Sequence, residues 1–267
     1  MSSYRFCRTD DIQLLVDALN RCAPEGRATV DGFKRDIREL GVWCSSCMVA
    51  FDGPEPVGVL IGCKRPPETF VRMIAVHQEH RRKGHARHLL TSLSAKLAIL
   101  GPPRLVAEVP EDDAAAQALF AACGWRETGR FADLVFDVSS SPAPPDGLIH
   151  DAGYEELKDT FAASDASSWE RRPATLDARS QRLRGLVFTG VERVDASLVH
   201  DAGIVWAMSH ERDVAGRTAL RALAGELVLR NGGAIAPRVL LGDEVDEAPW
   251  IRPGAVTLRF VAEARGA

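Results

Sequence analysis

The chain has 267 residues, 46% hydrophobic and 26% charged, with a formal net charge of −4. That balance suits one large or two ordinary globular domains and excludes the broad positive field of nucleic-acid binders. No apolar run approaches the roughly 18 residues of a membrane span, and Met1-Ser2-Ser3-Tyr4-Arg5 lacks the apolar core of an export signal. A cytoplasmic protein with neither membrane nor nucleic acid as partner is expected.

In chain order, Tyr4–Arg8 reads as a strand, and Thr9-Asp10-Asp11 caps a helix carrying Ile12, Leu15, Val16 and Leu19. Val30–Leu40 reads as a second, shorter helix. Met48–Phe51 and Val57–Gly62 flank Asp52-Gly53-Pro54-Glu55-Pro56, a hairpin signal. Phe70–Val76 is the next strand. It runs into His77-Gln78-Glu79-His80 and then Arg81-Arg82-Lys83-Gly84-His85-Ala86. A helix follows, with Ala86, Leu90, Leu93, Leu97 and Leu100 at helical spacing. Leu105–Val109 is a further strand, Asp113–Cys123 a helix ending at Gly124, and Gly129–Val138 carries a last strand.

The basic turn carries the strongest chemical signal. A helix N-terminus presents unpaired N–H groups and partial positive charge, which suit a phosphate. Gly84 and Ala86 lack bulk, while Arg81, Arg82 and Lys83 add charge, which points to a pyrophosphate. Neither a P-loop nor a dinucleotide-binding G-x-G-x-x-G is present. The six cysteines (7, 22, 44, 47, 63 and 123) are expected as free thiols. Cys44-Ser-Ser-Cys47 is a lone C-x-x-C, and the spacing of His77, His80, His85 and His88 is explained by the turn and its helix, so no metal is expected.

Arg81, Gly84 and Ala86 fit R-x-x-G-x-[GA], which resembles the acetyl-CoA pyrophosphate loop of the GNAT N-acetyltransferases. Ala116–Trp125 resembles that family's A-x-x-L-Y-x-x-x-G-F, and the two stand in the family's order over residues 4 to 138. The resemblance implies an α/β (mixed-sheet α+β) GNAT fold with acetyl-CoA as co-substrate. It further implies that pantetheine lies along Ile74-Ala75-Val76, where an N–H of Ala75 or Val76 polarises the thioester carbonyl. Arg81, Arg82, Lys83, Gly84, His85, Ala86 and Arg87 would cradle the pyrophosphate.

Two catalytic positions follow from the same resemblance. Glu108 stands where members that acetylate protein N-termini place a proposed base; the other reading is a strand-end carboxylate, solvated or paired with an arginine. Glu68 and His77 are weaker alternatives. Phe120 stands where many members have a tyrosine that protonates the thiolate, and phenylalanine has no proton to give. Tyr4 and Tyr154 lie in neither motif. Asp113 replaces an asparagine that often faces the cofactor, which puts that contact in doubt.

Ser139–Gly147, rich in serine and proline, reads as a linker. It divides the chain into a GNAT domain at 1–138, a linker at 139–147 and a smaller, degenerate GNAT-like domain at 148–267. The second part echoes the first. Ala75–Arg81 can be laid on Ala207–Asp213, Leu90, Leu93 and Leu97 on Leu220, Leu223 and Leu227, and Trp125 and Gly129 on Trp250 and Gly254. This resembles tandem-GNAT acyltransferases in which one half has lost its cofactor site. The basic turn is replaced by Asp213–Thr218, so no productive acetyl-CoA binding is expected there. Trp169 could line a cleft or anchor a core, and Gly242–Glu247 reads as a solvated loop. The expected activity is acetyl transfer to a primary amine of a small molecule or peptide, by a monomer or homodimer. The other reading is a catalytically silent CoA-binding or interaction module.

Overall fold

The computed structural model describes residues 2–136, 146–161, 167–231, 238–240 and 251–265. The chain opens with β1 (Ser2–Phe6), α1 (Ile12–Cys22), α2 (Val30–Leu40), β2 (Met48–Asp52), β3 (Glu55–Arg65) and β4 (Glu68–Val76). α3 (His85–Leu100), β5 (Arg104–Pro110), α4 (Ala114–Ala122) and β6 (Arg126–Phe136) follow. α2 has the bounds its pattern predicts because both ends are chemically marked. The Thr29 hydroxyl accepts the Gly32 N–H at 3.0 Å, and Gly41, at φ 73°, closes the last turn. Asp11 does not cap α1 with its side chain; its carboxylate accepts from the Arg8 N–H at 2.8 Å and from Arg5 at 2.9 Å.

The second part contains β7 (Leu148–Gly153), α5 (Tyr154–Leu157), α6 (Pro173–Arg179), β8 (Arg184–Thr189), β9 (Val194–Asp201) and β10 (Ile204–His210). α7 (Val214–Asn231), β11 (Arg238–Leu240) and β12 (Ile251–Glu263) complete it.

Contacts divide the chain into two compact units, 1–129 with 257–267, and 130–256. This division differs from a cut at 138 and 148. Residues 137–145, most of the expected linker, lie outside the described residues. The last eleven residues join unit 1 because Thr257–Glu263 of β12 pairs antiparallel with Pro110–Arg104 of β5. The sheet of unit 1 therefore runs β1-β2-β3-β4-β5-β12, with β4 and β5 parallel and the other neighbours antiparallel. β3 is buried at every position from Val57 to Cys63, so both its faces are covered. α1 and α3 are helices that pack on it. Leu89, Leu90, Leu93 and Leu97 of α3 are all buried, as their helical spacing requires.

In unit 2, the antiparallel sheet β10-β9-β8-β7 is covered on both faces. Leu220, Leu223 and Leu227 of α7 pack on Leu186, Phe188 and Leu198. Tyr154, Leu157, Phe161 and Leu176 pack on Val187, Val199 and Ala207. β11 pairs with Phe131–Asp133 of β6. Trp169 is fully buried, with the Arg172 guanidinium 4.6 Å from its ring, which makes it a core anchor. Trp250 and Asp243–Glu247 lie outside the described residues. No helix among the described residues is long and apolar enough to cross a membrane.

Candidate functional site: a splayed strand pair and a basic turn

β4 and β5 pair only from Glu68/Arg104 to Val71/Ala107, although β4 continues to Val76 and β5 to Pro110. The cause is a bulge. Ile61 faces Met73 and Gly62 faces Val71, so Arg72 is an extra residue without a partner on β3. An inserted residue bends its strand and ends regular pairing. Arg72 is held by Asp36 of α2 at 2.7 Å. Beyond the bulge, one edge of β4 is open to a wedge between the two strands.

The register shows which backbone groups face that wedge. His77 N–H donates to Val57 O at 3.0 Å, which makes Val57/His77 a hydrogen-bonded pair. Antiparallel pairs alternate, so Ala75 bonds to Val59 of β3, whereas Ile74 and Val76 turn their N–H and C=O groups outward. Val76 O confirms this direction by accepting from Arg81 Nε at 3.1 Å. Of the two N–H groups expected to polarise a carbonyl, Ala75's is therefore committed to β3 and Val76's faces the wedge. Ile74 is the second outward-facing residue.

At the end of β4 the chain turns into α3. Gly84 is its N-cap at φ 89°, a left-handed conformation, with nothing within 4 Å of where a Cβ would sit. Arg82 is also left-handed, at φ 63°; such turns form the backbone nests that bind anions. No side chain caps α3, which leaves its first N–H groups facing out. Arg81, Arg82, Lys83 and Arg87 are exposed, and among the described residues Arg82, Lys83 and Arg87 have no acidic partner. Ala86 sits one step inside the helix, half-buried. His85 differs from its neighbours. Its side chain is buried, and its Nδ1 lies 2.8 Å from the Tyr4 hydroxyl. Burial holds the His85 pKa below the usual range and raises that of Tyr4. With its side chain buried, His85 offers an anion its backbone N–H. His77, Glu79 and His80 share this turn, with ligand-type atoms within 4.8 Å of one another.

Glu108 and Phe120 occupy different surroundings. The Glu108 side chain is 5% exposed and lies opposite Arg259 in the β5–β12 register, with Oε1 3.5 Å from the guanidinium. That arginine comes from the far end of the chain and carries no motif. Phe120 is buried among aromatic rings, edge-on to Trp125 at 4.9 Å and stacked with Phe260 at 5.8 Å. Asp113 caps α4, accepting the Ala116 N–H at 2.9 Å, which gives the carboxylate a local partner. Cys44 and Cys47 are buried free thiols whose pKa values burial raises, and burial pushes Cys7 up to about 12. None is an activated nucleophile.

Residues 12–125 match the model of the Acetyltransferase (GNAT) family. This segment belongs to the GNAT family. The whole chain is similar in shape to a tandem GNAT protein from the clavulanic acid biosynthesis pathway, with a TM-score of 0.66 and 14% identity over 100% of both chains. It is also similar to a GCN5-related N-acetyltransferase from Sphaerobacter thermophilus, with a TM-score of 0.66 and 13% identity over 99% of this chain and 96% of the other. A putative acetyltransferase from Pyrococcus horikoshii gives 0.58 and 13%, over 99% and 90%. At these identities the likeness is one of fold. Among curated proteins, no sequence matches.

Unit 2 repeats one detail of unit 1. β10 carries a bulge against β9, at Trp206, between the pairs Val205/His200 and Ala207/Val199. It corresponds to the Arg72 bulge of β4 and sets Ala207 opposite Met73, two residues from the match read in the sequence. The helices agree with that match: Leu90, Leu93 and Leu97, like Leu220, Leu223 and Leu227, are all buried. In this helical register Asp213 replaces Lys83. Its carboxylate accepts the Gly216 N–H at 2.8 Å and pairs with Arg193. The N–H bond is the main cause of its lowered pKa. The amides that a GNAT turn would offer to phosphate are here engaged by the chain's own carboxylate. A Cβ on Gly216 would lie 2.2 Å from Glu211 O, so the turn is also tight.

One further feature of unit 1 has no sequence signal. A cleft of about 380 Å³ opens between α1, α2 and β4, reaching Arg72 and Met73. Arg27 and Arg35 line it, brought together by the turn before α2.

Proposed function

We propose that unit 1 transfers an acetyl group from acetyl-CoA to a primary amine of a small molecule or peptide. The observation that carries this reading is the wedge beyond Val71/Ala107, ending at an uncapped, basic helix N-terminus. Pantetheine is an extended chain with amides, and the outward groups of Ile74 and Val76 can pair with it as a neighbouring strand would. The exposed Arg81, Arg82, Lys83 and Arg87, with the α3 amides at Gly84, His85 and Ala86, suit a pyrophosphate. Charge developing on the carbonyl oxygen in the transition state would meet the Val76 N–H.

Glu108 is assigned as the base, directly or through a water. The Arg259 guanidinium, 3.5 Å away, holds the carboxylate in place for this task. Phe120 supplies shape only, so the thiolate leaves without a tyrosine proton; a thiol of pKa about 8.5 is a tolerable leaving group. Unit 2 is assigned no cofactor, since Asp213 holds its helix terminus. A second reading, a silent CoA-binding module, is favoured by the same Glu108–Arg259 pair and by the packed Phe120. Thiol release from acetyl-CoA with a panel of primary amines decides between them. Amine-dependent release supports the transferase, and tight CoA binding without release from any amine supports the silent module.

A further inference from the structure

The cleft between α1, α2 and β4 has a composition that specifies a ligand. Its lining contains three arginines, Arg27, Arg35 and Arg72, against a single carboxylate, Asp36. Asp36 is already bonded to Arg72 at 2.7 Å. Arg27 and Arg35 have no acidic partner among the described residues, and both are exposed. The other walls are apolar, with Leu19 and Phe33 buried and Met73 partly open. Two unpartnered guanidiniums beside an apolar wall match a ligand with an anionic end and an apolar body.

The backbone that carries Arg27 is held in place before any ligand arrives. Asn20 clamps the turn by two bonds to Ala28, donating from Nδ2 to its carbonyl at 2.9 Å and accepting its N–H at 2.7 Å. Arg27 is left-handed, at φ 36°, a costly conformation for a residue with a side chain. Met73 lies immediately before Ile74–Val76, where the thioester is placed. From Met73 to Val76 is three residues of extended strand, roughly 10 Å, a span that an amine-bearing ligand in the cleft can bridge. At about 380 Å³ the space is at the small end of ligand sites and fits a small molecule better than a folded partner.

We propose that this cleft is the acceptor subsite and selects amines that also carry an anionic group, a carboxylate or a phosphate, together with an apolar portion. The inference rests on the acetyl-transfer reading. Binding and turnover are separable in its test.

Calorimetry on the full chain with CoA present would compare N-acetylleucine with N-acetylleucinamide, product-like ligands that differ only in the charged end. The acid is expected to bind at least tenfold more tightly, and Arg27→Gly with Arg35→Gln should erase that preference. Both side chains are exposed, and glycine suits the left-handed backbone at position 27, so the fold should be retained; an unchanged Tm checks this. O-phosphoethanolamine against β-alanine, which carries a carboxylate in place of the phosphate, distinguishes the two anions. Equal binding of acid and amide, binding of neither, or a preference that survives the double variant overturns the inference. Turnover of neutral amines as fast as amino acids would also sink it while leaving acetyl transfer intact. Charge-selective binding without thiol release from any amine would sink acetyl transfer and leave the anion subsite standing.

Discussion

Gly84→Glu separates the phosphate role of the turn from its structural role. In the free protein nothing lies within 4 Å of a Cβ at this position, so no clash is expected there. The cost to folding is the left-handed backbone, φ 89°, at about 1–2 kcal/mol for a residue with a Cβ. The cost to binding is larger. A carboxylate roughly 5 Å from a phosphate charge costs about 1 kcal/mol at the dielectric constant of water and about 3 kcal/mol at an effective value near 20. A ~5- to 150-fold weaker affinity for CoA follows. Gly84→Ala carries the same backbone cost without the charge and should show the smaller share of the loss. Fluorescence or calorimetric titration with CoA, and with acetyl-pantetheine as the fragment lacking pyrophosphate, provides the assay. The fragment should bind wild type and Gly84→Glu alike. CoA affinity within threefold of wild type in Gly84→Glu would refute the placement of the pyrophosphate at α3.

Four other outcomes are expected. Glu108→Gln should lower kcat/KM by about 10²-fold or more if the carboxylate is the base; unchanged turnover with a lowered Tm would make it only the partner of Arg259. Phe260→Ala, which empties the contact with Phe120, should cost about 3–5 kcal/mol in denaturant unfolding, and a loss below 1 kcal/mol would mean that β12 is not part of the core of unit 1. Because burial depresses the His85 pKa, its stabilising contribution is complete above the ordinary value of 6.5 and is lost as pH falls below it. The Tm of the wild type should drop on acidification through that range, and His85→Gln should flatten this part of the profile. Calorimetry should give one CoA per chain; two would overturn the assignment of Asp213 as an internal stand-in for phosphate.

Much of unit 1 was legible because its signals are local. The bounds of α2 follow from Thr29 and Gly41, and the basic turn follows from Gly84 between an apolar strand and a leucine-spaced helix. What escaped depends on contacts distant in sequence. Nothing local to Thr257–Glu263 says that this segment pairs with β5, so Arg259 opposite Glu108 was not visible. Tyr4 belongs to no motif, yet its hydroxyl lies 2.8 Å from His85 Nδ1. The Arg72 bulge is a matter of register, which periodicity leaves open when both faces of a strand are buried. That the Val76 N–H, and not that of Ala75, faces outward follows from the Val57/His77 pairing, which the resemblance alone does not give. Arg27 and Arg35 line one cleft because the turn clamped by Asn20 folds back.

The route of β12 has a consequence for biosynthesis. The sheet that carries the wedge lacks its strand beside β5 until Thr257–Glu263 has left the ribosome. Unit 1 is encoded first, yet it can be finished only last. During translation the edge of β5 and the ring of Phe120 must wait uncovered, a period of exposure to chaperones or to mispairing. A premature stop anywhere before codon 257 would therefore leave the sheet of unit 1 without its strand beside β5, even though the motifs up to Trp125 would all be present.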